Sequence, residues 1–149
     1  MKILLLEDNL YTAELLEILI NAQLNNRAEL IVCNDIYEAN EKIVNNKDII
    51  CIISDLNMSP NGLEVDQYIE TEATSITGWI WVKCYVLNNA QFENIPIIFY
   101  SAFIDDLKKS SAFDEVRNIN SIELISKEEE NSEETLCERI ECIIEENLA

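Results

Sequence analysis

The sequence predicts a doubly wound α/β fold that forms a single domain over residues 1–149. Short apolar runs alternate with longer segments of helical periodicity, a pattern typical of strand–helix–strand units on a parallel sheet. Hydrophobic residues make up 48% of the chain, which is enough for one packed core at this length. No internal repeat or low-complexity linker divides the sequence, so we expect no second domain.

Five apolar runs are predicted to be the strands of this sheet. They cover Lys2–Leu6, Glu29–Cys33, Ile49–Ile53, Ile97–Tyr100 and Ser121–Ile125. The third run is the most apolar part of the chain, as expected for a strand that is buried on both faces.

Helical periodicity indicates a helix after each of the first two strands. The side chains expected along their apolar faces are Leu15, Leu16, Leu19, Ile20 and Leu24 in the first helix, and Ile36, Ala39, Ile43 and Val44 in the second. Asn9 and Asp35 precede these segments, and their short polar side chains suit them as N-caps.

Two more helices are predicted towards the end of the chain. A short one is expected over about 105–116, and a longer one closes the sequence. Its apolar face is formed by Leu136, Cys137, Ile140, Ile143, Ile144 and Leu148. Asn131 with Glu134 three residues later resembles a capping box at the start of that helix.

Residues 59–96 are too long for one helix and two loops, and they hold two helical candidates, 64–73 and 79–88. The aromatic residues of the second candidate suit either core packing or a ligand platform. They are Trp79, Trp81 and Tyr85. Core packing is the preferred interpretation, because aromatic side chains at this spacing are more often buried.

Charge and composition exclude several classes of function. The formal net charge of −19 argues against binding to a nucleic-acid backbone or an anionic membrane. It favours solubility or a basic protein partner. Neither a membrane-spanning apolar run nor a secretion signal is apparent.

The five cysteines have no CxxC spacing, which indicates reduced thiols in the cytoplasm. The absence of histidine excludes Ser-His and Cys-His nucleophile pairs and disfavours zinc.

The predicted strands end in residues that suit chemistry with phosphate. Ligands of parallel α/β sheets bind outside the carboxyl ends of the strands. Glu7 and Asp8 follow the first strand, and Asp55 follows the third, so three carboxylates converge if these strands are neighbours. Such a group needs a cation to offset its repulsion, and Mg²⁺ prefers carboxylate oxygens. Ser101 and Lys127 follow the last two strands.

An Asp held against Mg²⁺ is able to attack a phosphoryl group and form an aspartyl phosphate. Ser101 and Lys127 would then donate hydrogen bonds to the phosphoryl oxygens. Taken singly, these residues also have plain structural interpretations. Glu7 and Asp8 suit a strand-to-helix turn, Asp55 suits a cap or turn, and Lys127 suits a surface ion pair.

Together the motifs resemble the receiver domain of two-component response regulators over essentially the whole chain. They are KILLLEDN, IISDLNM, PIIFYSA and LISKEE. The resemblance implies a flavodoxin-like parallel sheet in the order 2-1-3-4-5 with helices on both faces. It identifies Asp55 as the phosphoacceptor. It also implies Mg²⁺ ligation by Glu7 or Asp8, by Asp55 and by the Asn57 carbonyl.

The same resemblance implies that a histidine kinase or phosphotransfer protein donates the phosphoryl group. We expect a stand-alone cytoplasmic receiver that signals through an output protein in trans and catalyses only its own phosphorylation and dephosphorylation. The alternative is a degenerate receiver that binds proteins without phosphorylation. A phosphatase of the haloacid dehalogenase type is disfavoured, because Asn57 stands where its general acid would be. No phosphate-cradling loop follows the first strand, which disfavours a flavodoxin.

Three features depart from the receiver pattern. Glu128 replaces the usual proline after Lys127, and Leu124 stands at the aromatic switch position. The chain is also longer than the pattern between the third strand and the third helix. Aligning Gly78 rather than Gly62 with the glycine that opens the third helix places this insertion at about 59–77. We expect the insertion to lie over the mouth of the site as a lid or a partner surface.

Overall fold

The computed structural model describes residues 1–149 and has a five-stranded sheet in the order β2-β1-β3-β4-β5. The strands are β1 (Lys2–Leu6), β2 (Glu29–Cys33), β3 (Ile49–Ser54), β4 (Ile97–Ser101) and β5 (Ile122–Ser126). Every neighbouring pair is parallel. The predicted fold class and strand order are confirmed.

Helices cover both faces of the sheet. They are α1 (Leu10–Leu24), α2 (Ile36–Asn45), α3 (Thr77–Trp81, continued by a π-helical turn over Val82–Val86), α4 (Ile104–Lys109), α5 (Phe113–Val116) and α6 (Ser132–Leu148). Helices α1 and α6 pack on one face, and α2 to α5 pack on the other. No helix combines the length and the apolar character needed to cross a membrane.

The first two helices begin at the predicted caps. The Asn9 side chain accepts a hydrogen bond from the Thr12 amide at 2.9 Å, and Asp35 accepts one from the Glu38 amide at 2.8 Å. Three residues assigned to apolar faces are exposed instead, so those assignments were wrong. They are Leu15 (49% exposed), Val44 (71%) and Leu148 (58%). Each helix buries a narrower stripe than its apolar sequence suggested.

Two helix predictions near the end of the chain need correction. The capping box at Asn131 is absent, because Asn131 is left-handed (φ 62°) and an N-cap residue needs extended backbone. The predicted helix over 105–116 is two helices, α4 and α5. Ser110 ends α4 with extended backbone, and its hydroxyl donates to the Leu107 carbonyl at 2.7 Å.

The predicted helix over 64–73 was wrong. Two short 3-10 turns, Val65–Gln67 and Ile69–Thr71, stand in its place. Glu72, Ala73 and Thr74 then have φ values of 51°, 57° and 76°. Three successive left-handed residues cannot continue a right-handed helix, so the chain turns sharply before α3.

The second helical candidate is α3, which begins at Thr77 and whose π-helical turn ends at Val86. Its aromatic residues confirm the core interpretation, because Trp79 and Trp81 are fully buried. The Trp81 indole N–H donates to Asn40 Oδ1 at 2.8 Å and so joins α3 to α2. Tyr85 is half-buried and contacts Gln67 Oε1 at 3.2 Å.

Gly78 allows α3 to pack directly against the loop after β3. Its amide donates to the Leu56 carbonyl at 2.9 Å. A Cβ atom at this position would lie 1.9 Å from the Asp55 carbonyl oxygen. Only glycine permits this approach, so the end of β3 and the start of α3 form one tightly packed unit.

The variant Gly78→Ala should lower the free energy of unfolding by about 2–3 kcal/mol, because the added methyl group must displace the Asp55 main chain. Urea unfolding measures this loss, and the amide resonances of Asp55 and Leu56 report the displacement. Gly62→Ala is the matched comparison. It also destabilises, because Gly62 has φ 106°, but its Cβ would meet Ile36 and should leave the Asp55 amide unchanged. Unchanged Asp55 and Leu56 resonances in Gly78→Ala would contradict the packing argument.

Candidate functional site

The carboxyl ends of four strands bring the predicted residues together. Glu7 follows β1, Asp55 follows β3, and Lys127 follows β5. Ser101 is the last residue of β4 rather than the first residue after it. These four side chains form one hydrogen-bonded cluster at the edge of the sheet.

Lys127 bridges two carboxylates. Its Nζ atom donates to Glu7 Oε1 at 2.6 Å and to Asp55 Oδ2 at 2.9 Å. The Lys127 main chain is fixed as well, because its amide donates to the Ser101 carbonyl at 3.0 Å. The parallel pairing of β4 with β5 thus fixes the position of the Lys127 main chain at the edge of the sheet, from which its side chain reaches the carboxylates.

The other carboxylate oxygen of Asp55 is held by two donors. The Ser101 hydroxyl donates to Asp55 Oδ1 at 2.5 Å, and the Leu56 amide donates to the same atom at 2.6 Å. Ser101 Oγ in turn accepts from the Phe103 amide at 3.0 Å. Asp55 is therefore fixed in one orientation, with hydroxyl, amide and ammonium donors around its carboxylate.

Glu7 is the deepest carboxyl group of the site, and its side chain is 2% exposed. Burial, followed by the charge of Asp55, raises the pKa of Glu7 to about 7, although Lys127 acts in the opposite direction. Burial disfavours the Lys127 ammonium, but Asp55 and Glu7 outweigh that effect and raise the pKa of Lys127 above its ordinary value. The ammonium group stays charged at neutral pH.

Asp8 and Asn57 lie beside the cluster, but their side chains make no hydrogen bond to its four members. Asp8 is at the solvent-facing rim, where partial burial raises its pKa, with a further contribution from the charge of Asp55. The Asn57 side chain accepts a hydrogen bond from Thr74 Oγ1 at 2.8 Å. Thr74 thus connects the 59–77 segment to the loop that follows Asp55.

The donor set fits a hard divalent cation, although it is not arranged as a ready-made cluster of metal ligands. No group of three or more His, Cys, Asp or Glu side chains is placed to hold a metal ion. In this conformation Lys127 bridges Glu7 and Asp55 instead. Glu7 Oε2, however, is buried without a hydrogen-bond partner. A carboxylate oxygen left unsatisfied beside two further carboxylates is suited to a cation such as Mg²⁺.

Two residues that contact the site were not predicted from the sequence. Thr74 carries no signal in the sequence, because its contact with Asn57 depends on the left-handed turn that precedes it. Tyr100 carries no such signal either, because it directly precedes Ser101 and strand alternation turns it to the other face of β4. Its ring centroid lies 5.6 Å from Lys127 Nζ. Leu124, at the expected aromatic position, packs in the core between the sheet and α2 to α5.

The structure is similar to solved receiver domains of response regulators. A Francisella receiver domain is 19% identical, with 98% of each chain covered and a TM-score of 0.63. A receiver domain protein from Clostridium thermocellum is 15% identical, with 98% of this chain and 95% of that chain covered and a TM-score of 0.61. The Thermotoga maritima response regulator TrrA, solved in complex with Mg²⁺–BeF, is 18% identical, with 95% and 97% covered and a TM-score of 0.56.

No protein-family model and no curated protein matches the sequence. At these levels of identity the structural similarity shows the fold. The chain therefore has the fold of response regulator receiver domains, as the sequence motifs implied.

The variant Glu7→Gln should change how stability depends on pH in the metal-free protein. The pKa of Glu7 is 4.5 when unperturbed and about 7 in the fold, so the folded protein binds this proton more tightly. The contribution of Glu7 to stability is then fully present below about pH 4.5 and is lost as pH rises through 7. Between these values, the unfolding free energy of the wild-type protein should fall relative to that of the variant.

Urea unfolding at a series of pH values with a chelator present measures this difference. Glu141→Gln is the control, because a hydrogen bond from Arg27 lowers the pKa of Glu141 to about 2. Its contribution is lost only as pH falls from 4.5 towards 2, so this variant should parallel the wild type between pH 4.5 and 7. Parallel curves for Glu7→Gln and the wild type would contradict the assignment.

Proposed function

We propose that this protein is a receiver that accepts a phosphoryl group on Asp55 in a Mg²⁺-dependent reaction and signals through a protein partner. One observation carries the proposal. The Asp55 carboxylate is held between the Ser101 hydroxyl, the Leu56 amide and the Lys127 ammonium at the carboxyl edge of a receiver-type sheet. This is an acceptor surrounded by the donors that an added phosphoryl group needs.

The chain's own residues perform three tasks in this reaction. A carboxylate oxygen of Asp55 forms the new bond to phosphorus while the bond between phosphorus and the donor breaks. Lys127 and Ser101, which now hold the carboxylate, donate to the phosphoryl oxygens, and the Leu56 amide keeps Asp55 oriented. A bound Mg²⁺ would supply positive charge against the phosphoryl oxygens, and Glu7, Asp8, Asp55 and the Asn57 carbonyl are the groups that would hold it.

The phosphoryl donor in this proposal is a histidine kinase or a phosphotransfer protein, and the output is a second protein in trans. The net charge of −19 supports a partner with a basic surface and disfavours nucleic acid and anionic membranes as partners. A cytoplasmic location is part of the proposal, and the five free cysteines support it. In this scheme the chain catalyses only its own phosphorylation and dephosphorylation.

A degenerate receiver that binds its partner without phosphorylation is the second candidate. Leu124 and Glu128 favour it, because the residues that usually accompany the switch are absent at these positions. The intact set of Asp55, Ser101 and Lys127 opposes it.

Incubation with Mg²⁺ and acetyl phosphate should add one phosphoryl group, detected by intact mass. Asp55→Asn should abolish the adduct, because an amide is not a nucleophile here, and Asp66→Asn should retain it as a matched change at an exposed acid outside the site. Omitting Mg²⁺ should also abolish the adduct. If acetyl phosphate gives no adduct and beryllofluoride with Mg²⁺ fails to bind, the degenerate receiver becomes the better proposal.

The insertion at about 59–77 is proposed to support the site and to cover its mouth. The contact between Thr74 Oγ1 and Asn57 Oδ1 supports this role, because it fixes the residue whose carbonyl is proposed to bind Mg²⁺. The exposed apolar side chains Val65 (79% exposed) and Ile69 (87%) leave the outer side of the segment available to a partner.

Thr74→Val should raise the Mg²⁺ concentration for half-maximal phosphorylation about threefold to tenfold, because it removes a hydrogen bond that positions Asn57. A Mg²⁺ titration of the acetyl phosphate reaction measures the shift. The final extent of phosphorylation at saturating Mg²⁺ should stay the same. An unchanged Mg²⁺ dependence would show that the segment does not position this loop.

A further inference from the structure

Tyr100 lies on the far side of β4 from Asp55 yet still contacts the site. It belongs to the core between the sheet, α1 and α6, and it is 4% exposed. The face of its ring is turned to Lys127, with Nζ 5.6 Å from the centroid, a distance at which a cation is attracted to an aromatic ring. The Lys127 ammonium thus has the carboxylates of Glu7 and Asp55 on one side and an aromatic ring on another.

Tyr100 is also linked to the first turn of α6. Its hydroxyl lies 2.9 Å from Ser132 Oγ, and Ser132 Oγ donates to the Lys127 carbonyl at 3.4 Å. Because Ser132 has a single hydroxyl hydrogen, Tyr100 is the donor in the first of these bonds. Burial raises the pKa of Tyr100, so the phenol stays protonated at neutral pH. The contacts form a closed loop from the Lys127 ammonium through Tyr100 and Ser132 to the Lys127 main chain.

We propose that Tyr100 is a positioning residue for Lys127 and that, through Ser132, it transmits the position of the Lys127 ammonium to the start of α6. This inference rests on the proposed function, in which Lys127 exchanges carboxylate partners for phosphoryl oxygens. A shift of Nζ changes its contact with the ring, and the ring is hydrogen-bonded to the first residue of α6. Leu124, which has no polar group and packs on the other face, cannot perform this task.

The first test is NMR of the lysine side-chain ammonium in the unmodified protein. Ring-current shielding should displace the Lys127 Nζ proton resonance from the ordinary lysine position. Tyr100→Leu should abolish the displacement, whereas Tyr100→Phe should keep it. Phe99→Leu is the matched control, because it removes a buried ring from the same strand on the opposite face.

The second test compares the same variants in the acetyl phosphate reaction. Tyr100→Leu should slow phosphorylation about fivefold relative to Phe99→Leu, since the ring no longer holds the ammonium in place. Tyr100→Phe and Ser132→Ala should keep most of the rate. Beryllofluoride with Mg²⁺ should change the Glu133 and Glu134 amide resonances of the wild type, and both of these variants should lose that change. Tyr85→Phe, which removes a tyrosine hydroxyl that is bonded to Gln67 and not to Ser132, should retain both the rate and the response.

Three results separate the possibilities. An unchanged Lys127 resonance in Tyr100→Leu overturns the inference, whatever the activity of the variant. A changed resonance with an unaltered phosphorylation rate also overturns it, because the contact would then have no positioning role. If the wild type takes no phosphoryl group and binds no beryllofluoride, the proposed function fails. In that case the NMR comparison alone decides whether the ring holds the ammonium.

Discussion

The half-buried ammonium of Lys127, paired with two carboxylates, is the interaction on which the rest of the site depends. Glu7 is almost fully enclosed, and a carboxylate in that position is stabilised only by a nearby positive charge. Lys127 supplies this charge and at the same time holds Asp55, so one cation compensates two acids that come from different strands. The arrangement requires β1, β3 and β5 to end at the same level, and the parallel sheet provides that condition.

The loop after β3 is constrained from three directions, and each constraint has a different physical origin. Ser101 orients the Asp55 carboxylate by a hydrogen bond. Gly78 has no side chain, so the backbone of α3 packs directly against the Asp55 main chain. Thr74 holds Asn57 from the left-handed turn. The charged cluster and the hydrophobic core therefore meet at one short stretch of chain. This contact joins the loop that carries Asp55 directly to α3, whose tryptophans fill the core.

Sequence reasoning succeeded where one local rule determined the outcome. Apolar runs located every strand, and the polar residues at their ends placed Asp55, Ser101 and Lys127 in one cluster. It failed where tertiary contacts decided. Thr74 adopts a left-handed backbone although its β-branched side chain disfavours it, and Asn131 precedes α6 without capping it. Leu15 is apolar and yet exposed, because only one stripe of α1 faces the sheet.

The π-helical turn over Val82–Val86 has a consequence for how this chain tolerates changes in length. A π turn contains one residue more than the α-helical turn it replaces, so it behaves as a single-residue insertion that the helix has absorbed. The side chains after it are rotated by about 100° from the positions a regular helix would give. Val82 and Val86 both face the core in this register. Removing one residue here would restore regular helical geometry. It would also rotate the residues after the turn relative to the buried tryptophans before it, and so misplace the chain that leads into β4.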